Sequence, residues 1–319
     1  MALRQRLLLI APCKMTHSPA FERAAALAGA MDASLSIVAF AYFETMETFS
    51  LLDTQGREAA RESRLKLFHN WLDIETAQLR QQGLETSFEI IWAPRSAIEI
   101  CRYISVSNVD FVLKDLYAES AARPLSLSEL DWQLLRGSPA PVLLVTDARH
   151  PHPRKILAAV DILHEDTHVQ QLNDSIIETA GRLARACHAC LHLLSVYDRS
   201  VQPLADIDEQ QASTPPSYEE EEALFNALAD KYAIDEEHRH FIAGAAANVI
   251  NAYVARCNYD ILVMGTANHR PLDMLLGRTA DIVLDHPPCN VLVLKPFAVG
   301  RPNDQDESAT TSTALLMKK

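Results

Sequence analysis

At 319 residues the chain is long for one domain and comfortable for two of about 150 residues each. Its 48% hydrophobic and 22% charged residues, with 16 Pro and 9 Gly, exclude collagen-like, wholly disordered and coiled-coil chains. A formal charge of -13 excludes a protein whose main work is to coat nucleic acid or an anionic membrane, because phosphate binding rests on concentrated Lys and Arg.

The chain opens with the strand-like run Gln5 to Pro12, whose apolar part is too short for the core of a signal peptide or for a membrane span. Six scattered Cys do not form the dense framework of a secreted disulfide fold. A cytoplasmic protein with free thiols and no integral membrane association is expected. Phe21, Ala24, Ala25, Ala28 and Met31 then recur at helical spacing. Ser34 to Tyr42 reads as a second strand, Arg57 to Gln82 as a long helix, Thr86 to Trp92 as a third strand, and Ala97 to Ser105 as a helix. Asp110 to Leu113 and Pro139 to Val145 are the last strands of this half.

After the extended spacer His150-Pro151-His152-Pro153, where prolines block both helix and ladder, the same order begins again. Arg154 to Asp161 is a strand, and Val169, Leu172, Ile176, Ala180, Leu183 and Cys187 form an apolar helical stripe. Cys190 to Tyr197, Tyr218 to Lys231, Glu237 to Ile242 and Ala245 to Arg256 follow as strand, helix, strand and helix. Asp260 to Val263 and Pro288 to Leu294 repeat the closing strands. Apolar strands alternating with amphipathic helices predict an α/β fold of two tandem doubly wound domains, 1–149 and 154–297, each a mostly parallel sheet covered on both faces. Asp206 to Glu222, with Pro215-Pro216 and a run of Glu, is expected to be a mobile loop or a lid over the second half's site, and 298–319 a flexible tail.

The stretch Tyr259-Asp260-Ile261-Leu262-Val263-Met264-Gly265-Thr266, then Leu275-Leu276-Gly277-Arg278-Thr279-Ala280 and Pro288 to Leu294, resembles the C-terminal signature of the universal stress protein family. With Ala159-Val160-Asp161 the chain resembles a tandem member of that family. The resemblance implies a five-stranded parallel sheet per domain, a stress-response role, and ATP held above the carboxyl ends of the strands, where open α/β sheets generally bind ligands. It also implies an internal pseudo-dimer in which the last strands of the two halves meet, covering otherwise bare ladder groups. A homodimer and unidentified protein partners remain open.

ATP-binding members carry Gly, two residues, Gly, nine residues, Gly, then Ser or Thr; here the run is Gly265, two residues, Asn268, eight residues, Gly277, Arg278, Thr279. Glycines there let backbone amides approach phosphate, Asn268 tolerates the left-handed region, and Arg270 and Arg278 add charge. Met264 completes the strand end, and Asp161 matches the position that reads the adenine edge; its alternative role is to cap a turn. Pro12 and Asp115 stand at the comparable first-half positions, so that half reads as a degenerate copy.

Cys187, Cys190 and His192 are the candidate metal ligands, with His238 and His240 as further donors from a neighbouring strand. Zinc is not the expected cofactor, because a single Cys-x-x-Cys lacks its distant partner pair, and core cysteines with surface histidines are the alternative. No nucleophile elbow or complete phosphate loop is present, so no catalytic residues are assigned. Two functions stay open. One is a stress-response sensor binding ATP or a related small anion in its second domain; the other is a non-nucleotide interaction protein or lipophilic-ligand carrier on a decayed scaffold.

Overall fold

The computed structural model describes residues 4–42, 54–116, 126–162, 166–198, 217–266 and 277–296. The first half runs β1 (Arg6–Ile10), α1 (Pro19–Ala30), β2 (Ser34–Phe40), α2 (Thr54–Gln81), β3 (Thr86–Ile91), α3 (Ala97–Ser107), β4 (Phe111–Asp115), α4 (Glu129–Gly137) and β5 (Val142–Val145). The second repeats it as β6 (Lys155–Val160), α5 (Thr167–Cys187), β7 (Cys190–Tyr197), α6 (Tyr218–Lys231), β8 (Arg239–Ala243), α7 (Ala246–Cys257), β9 (Ile261–Gly265), α8 (Arg278–Asp285) and β10 (Asn290–Leu294).

Two separate sheets were expected; the structure has one. Its ten strands lie in the order β3-β2-β1-β4-β5-β10-β9-β6-β7-β8. Pairing is parallel within each half and antiparallel at the centre, where Leu144, Leu143 and Val142 face Val291, Leu292 and Val293. Left apart, β5 and β10 would each present a row of unpaired backbone N–H and C=O groups on a largely apolar strand, and joining them removes both edges. The expected meeting of the two closing strands is thus present.

Successive strand residues face opposite sides, so Leu7 and Leu9 join the core under α1, α2, α5 and α6, and Leu8 and Ile10 the core under α3, α4, α7 and α8. Each fully buried Leu contributes about 1.5–3 kcal/mol of transfer free energy, which explains why strands covered on both faces are nearly all apolar. Polar ties cross the join. Asn290 Oδ1 accepts from the Thr146 amide at 2.7 Å, while its Nδ2 donates to Asp260 O at 3.0 Å. Lys295 reaches the end of α4, donating to the carbonyls of Arg136 and, at 2.9 Å, Ser138; burial pushes its ammonium down to about 8. Arg23, fully buried in α1, donates to Pro151 O in the spacer at 2.9 Å.

Three local expectations need correction. Ser217 to Glu222, where the expected loop overlapped the expected helix from Tyr218, opens α6: Ser217 Oγ accepts from the Glu220 amide at 3.2 Å and Glu220 Oε2 accepts from the Ser217 amide at 2.7 Å. This reciprocal capping, with Glu219, Glu220 and Glu221 in a first turn whose dipole favours negative charge, makes the acidic run a helix start. The rest of that predicted loop, 206–216, and the tail 298–319 lie outside the described residues. Glu237 and His238 belong to a 3-10 turn ahead of β8. The short helices α4 and α8 were not anticipated, although Ser128-x-x-Asp131 is a capping signal for the first of them.

Candidate functional site

Strand register sets the two halves on a common frame. Leu7 of β1 faces Phe111 of β4 as Ile156 of β6 faces Ile261 of β9, so Pro12 corresponds to Asp161 and Lys114-Asp115 to Met264-Gly265. Val142 faces Val112 as Val291 faces Leu262, so Ser128, the N-cap of α4, corresponds to Gly277, the N-cap of α8, and Asp131 to Ala280.

In the first half these positions bind one another. Asp115, 2% exposed, accepts from Ser18 Oγ at 2.5 Å and from the Ala20 amide at 2.9 Å, so it caps α1. Lys114 Nζ lies 2.5 Å from Asp131 Oδ1 with both side chains buried, and donates to Asp115 O at 3.0 Å. Asp131 Oδ2 in turn accepts from Ser128 N at 2.9 Å and Oγ at 2.6 Å. Burial pushes the Lys114 ammonium below its ordinary range, against the opposing pull of Asp131. The volume at the carboxyl end of β4 is therefore filled by the chain's own charges.

The second half has none of these charges. Met264 and Ala280 are both buried in the apolar core. Gly265 follows Met264, and a Cβ on it would lie 2.5 Å from Leu172 Cδ2 and 3.1 Å from Ile176 Cδ1. A side chain here would have to displace Leu172. The same contact reflects a longer helix: α5 has 21 residues against 12 in α1, and since each leads directly into its next strand, the added turns lie at the N-terminus. Asp161 is exposed at the end of β6. Its amide donates to Asn173 Oδ1 at 3.1 Å and its carbonyl accepts from Asn173 Nδ2 at 2.6 Å, so the buried Asn173 amide fixes the backbone that presents the carboxylate.

Gly277 has φ 115 and ψ 140, a conformation that any side chain would strain, and it opens α8 without a side-chain cap. Arg278 is exposed and Thr279 half-buried beside it. A crossover helix runs antiparallel to its strands, so the N-terminus of α8 lies at the end of the sheet that carries Asp161 and Gly265. Helix-start amides and the dipole favour an anion there. Asn268 and Arg270 lie outside the described residues.

Of the candidate metal ligands, His192 comes together with His238 and His240, whereas Cys187 lies on the other side of the sheet. Cys187 packs in the core under α5, where burial raises its thiol to about 11, and Cys190 is exposed at the start of β7. His192 pairs in register with Leu157, which faces the opposite core. A helix stripe and the strand after it need not share a face. Among the described residues no group of three or more His, Cys, Asp or Glu is placed to hold a metal ion. Sequence reasoning missed Lys114, Asp131, Asn173 and Leu172. The signal for Lys114 was a Lys-Asp pair closing an otherwise apolar strand.

The fold and the paired strand ends define a duplicated α/β protein whose two repeats share one sheet and differ at the carboxyl ends of their strands. The universal stress protein family model matches residues 7–146 and again 153–295, and the chain belongs to that family. It is 28% identical over 318 residues to the universal stress protein E of Salmonella typhi, covering 96% of this chain and 99% of that protein. To the universal stress protein E homolog of Haemophilus influenzae it is 29% identical over 260 residues, covering 80% and 84%. A crystal structure from Pseudomonas aeruginosa UCBPP-PA14, a universal stress protein by its description, superposes with a TM-score of 0.70 at 26% identity, covering 93% and 94% of the two chains. Among the described residues no helix is long and apolar enough to cross a membrane.

Proposed function

We propose that the chain is a stress-response sensor that binds ATP or a related small anionic ligand in its second half and signals through the resulting change in conformation or partners. The observation that carries this reading is the contrast at the N-caps of α8 and α4: Gly277 stands uncapped at positive φ, whereas Ser128 is sealed by Asp131. Gly277, Arg278 and Thr279 fit a phosphate group, with Asn268 and Arg270 from the connecting segment as further contacts. Asp161, held by Asn173, is the group for an adenine edge. Gly265 fits less well, because its open side is taken by Leu172. Bound ATP would supply a charged, exchangeable ligand; Asp161 would orient the base and the start of α8 would compensate the phosphates.

A second reading rests on that closure. Met264, Leu172 and Ile176 make the end of β9 apolar, which suits a lipophilic ligand or a protein partner better than a triphosphate. Mass spectrometry of material released on denaturation, from protein purified without added ligand, separates the two. Co-purified nucleotide supports the first reading, and an apolar molecule with no nucleotide supports the second.

A further inference from the structure

The terminal edge of the sheet carries a cluster of imidazoles that the ligand reading does not use. His192 of β7 and His240 of β8 lie on the core face covered by α7, and Nδ1 of the former is 2.9 Å from Nε2 of the latter, hydrogen-bond distance. Their rings stack at 5.2 Å, and the ring of His238 crosses that of His192 at 4.5 Å. Tyr259 closes on His192 at 5.2 Å and Tyr253 of α7 on His240 at 5.0 Å. The hydrogen bond needs one nitrogen without its proton, so it is lost when both rings are charged.

The charged groups around the pair disfavour protonation. From β6, Lys155 donates to Cys257 O at 3.4 Å, and its charge opposes protonation of His192. From α7, the Arg256 guanidinium sits 5.5 Å from the Tyr253 ring. The nearby acid is Glu237, 3.7 Å from His238 on the 3-10 turn. Cys190, two residues before His192 on β7, pairs in register with Lys155, and Cys257 ends α7. Strand β8 pairs with β7 alone, so the pair spans the ladder that holds this edge.

We propose that the cluster is an acid-sensitive latch: while neutral, His192 and His240 hold β8 and α7 in place, and their protonation releases this edge of the second half. Burial, then His238, His240 and Lys155, push His192 down from 6.5 to about 4, and burial lowers His240 as well. A histidine lowered on folding contributes stability above its unfolded value, here 6.5, and that contribution is lost as pH falls from 6.5 toward 4. The first half has no such pair. Ser36 and Glu89 stand at the register positions of His192 and His240, with Tyr103 donating to Glu89 at 2.9 Å.

Amide exchange on the intact chain at pH 7 and pH 5, corrected for intrinsic rates, tests the latch with β3 as an internal reference. Protection of 239–243 is expected to fall about tenfold relative to 86–91, and this fall should vanish in His192→Gln/His240→Gln. An unchanged β8-to-β3 ratio in the native chain, or an undiminished fall in the double variant, overturns the proposal. Because that variant removes two packed rings, ring-proton titration of the native chain is read in parallel. A His192 midpoint well below 6 supports the latch, and an ordinary midpoint near 6.5 overturns it whether or not the variant folds.

Discussion

At the carboxyl end of β4, Lys114, Asp115 and Asp131 are sealed into a buried network; at the carboxyl end of β9 the same positions are Met264, Gly265 and Ala280. The strands that carry them share order, register and apolar character. Duplication has therefore kept the strand frame while helix lengths and the groups at the carboxyl ends of the strands diverged. In the first half the chain supplies both the anion and the cation. In the second it removes them, and a lengthened α5 packs Leu172 against bare backbone. A strand end that holds its own counter-charges has no vacancy for a charged ligand, while an uncapped helix start still has donors to give.

Breaking the first-half network should have the largest effect. Lys114→Ala leaves Asp131 buried without its cation, and chemical denaturation should show a loss of about 3–5 kcal/mol. Lys114→Met with Asp131→Ala copies the second half and should recover most of that loss, because an apolar pair replaces a buried ion pair at little net cost. If the copy is as unstable as the single variant, the two ends are not equivalent in packing.

The opposite transfer is smaller. Gly265→Ala forces a methyl group to within 2.5 Å of Leu172 Cδ2 and should cost about 1–3 kcal/mol in thermal or denaturant unfolding. Combined with Leu172→Ala the costs should fall short of additive, since the second change makes room for the first. Strict additivity would show that glycine is required there for another reason. The smallest effects belong to the helix starts: Ser128→Ala and Ser217→Ala each remove a reciprocal cap, worth about 1 kcal/mol by the same measurement.

Much of this fold was legible because both halves write it in the same code. The apolar strands recur at a nearly constant offset, and α6 was delimited from Tyr218 to Lys231. Continuity of the sheet was less legible, since an apolar strand reads alike at an edge or at a centre. At the site, the family resemblance singled out Asp161, Gly265 and Gly277, and Pro12 and Asp115 fall at the positions that strand register assigns as counterparts of the first two. What spacing could not show was the reason for each residue. Gly265 reads as a phosphate contact in sequence, yet its neighbour is Leu172. Asn173 lies on a helix twelve positions from Asp161, and only the folded chain brings its amide to that backbone. Between the members of the Cys-x-x-Cys pair the chain passes from helix to strand, a boundary the apolar stripe and the strand run already marked in the sequence.

Cutting the chain to its second half would strip β10 of β5, so the central claim is best tested on the intact protein. The measurement is calorimetric titration with ATP of the native chain, Gly277→Val and Asp161→Ala. The account predicts one site per chain, binding weakened at least tenfold by Gly277→Val, and a loss of about 1.5–3 kcal/mol for Asp161→Ala from one charge-assisted hydrogen bond. Two sites per chain, no binding at millimolar ATP, or unchanged affinity in Gly277→Val would contradict it.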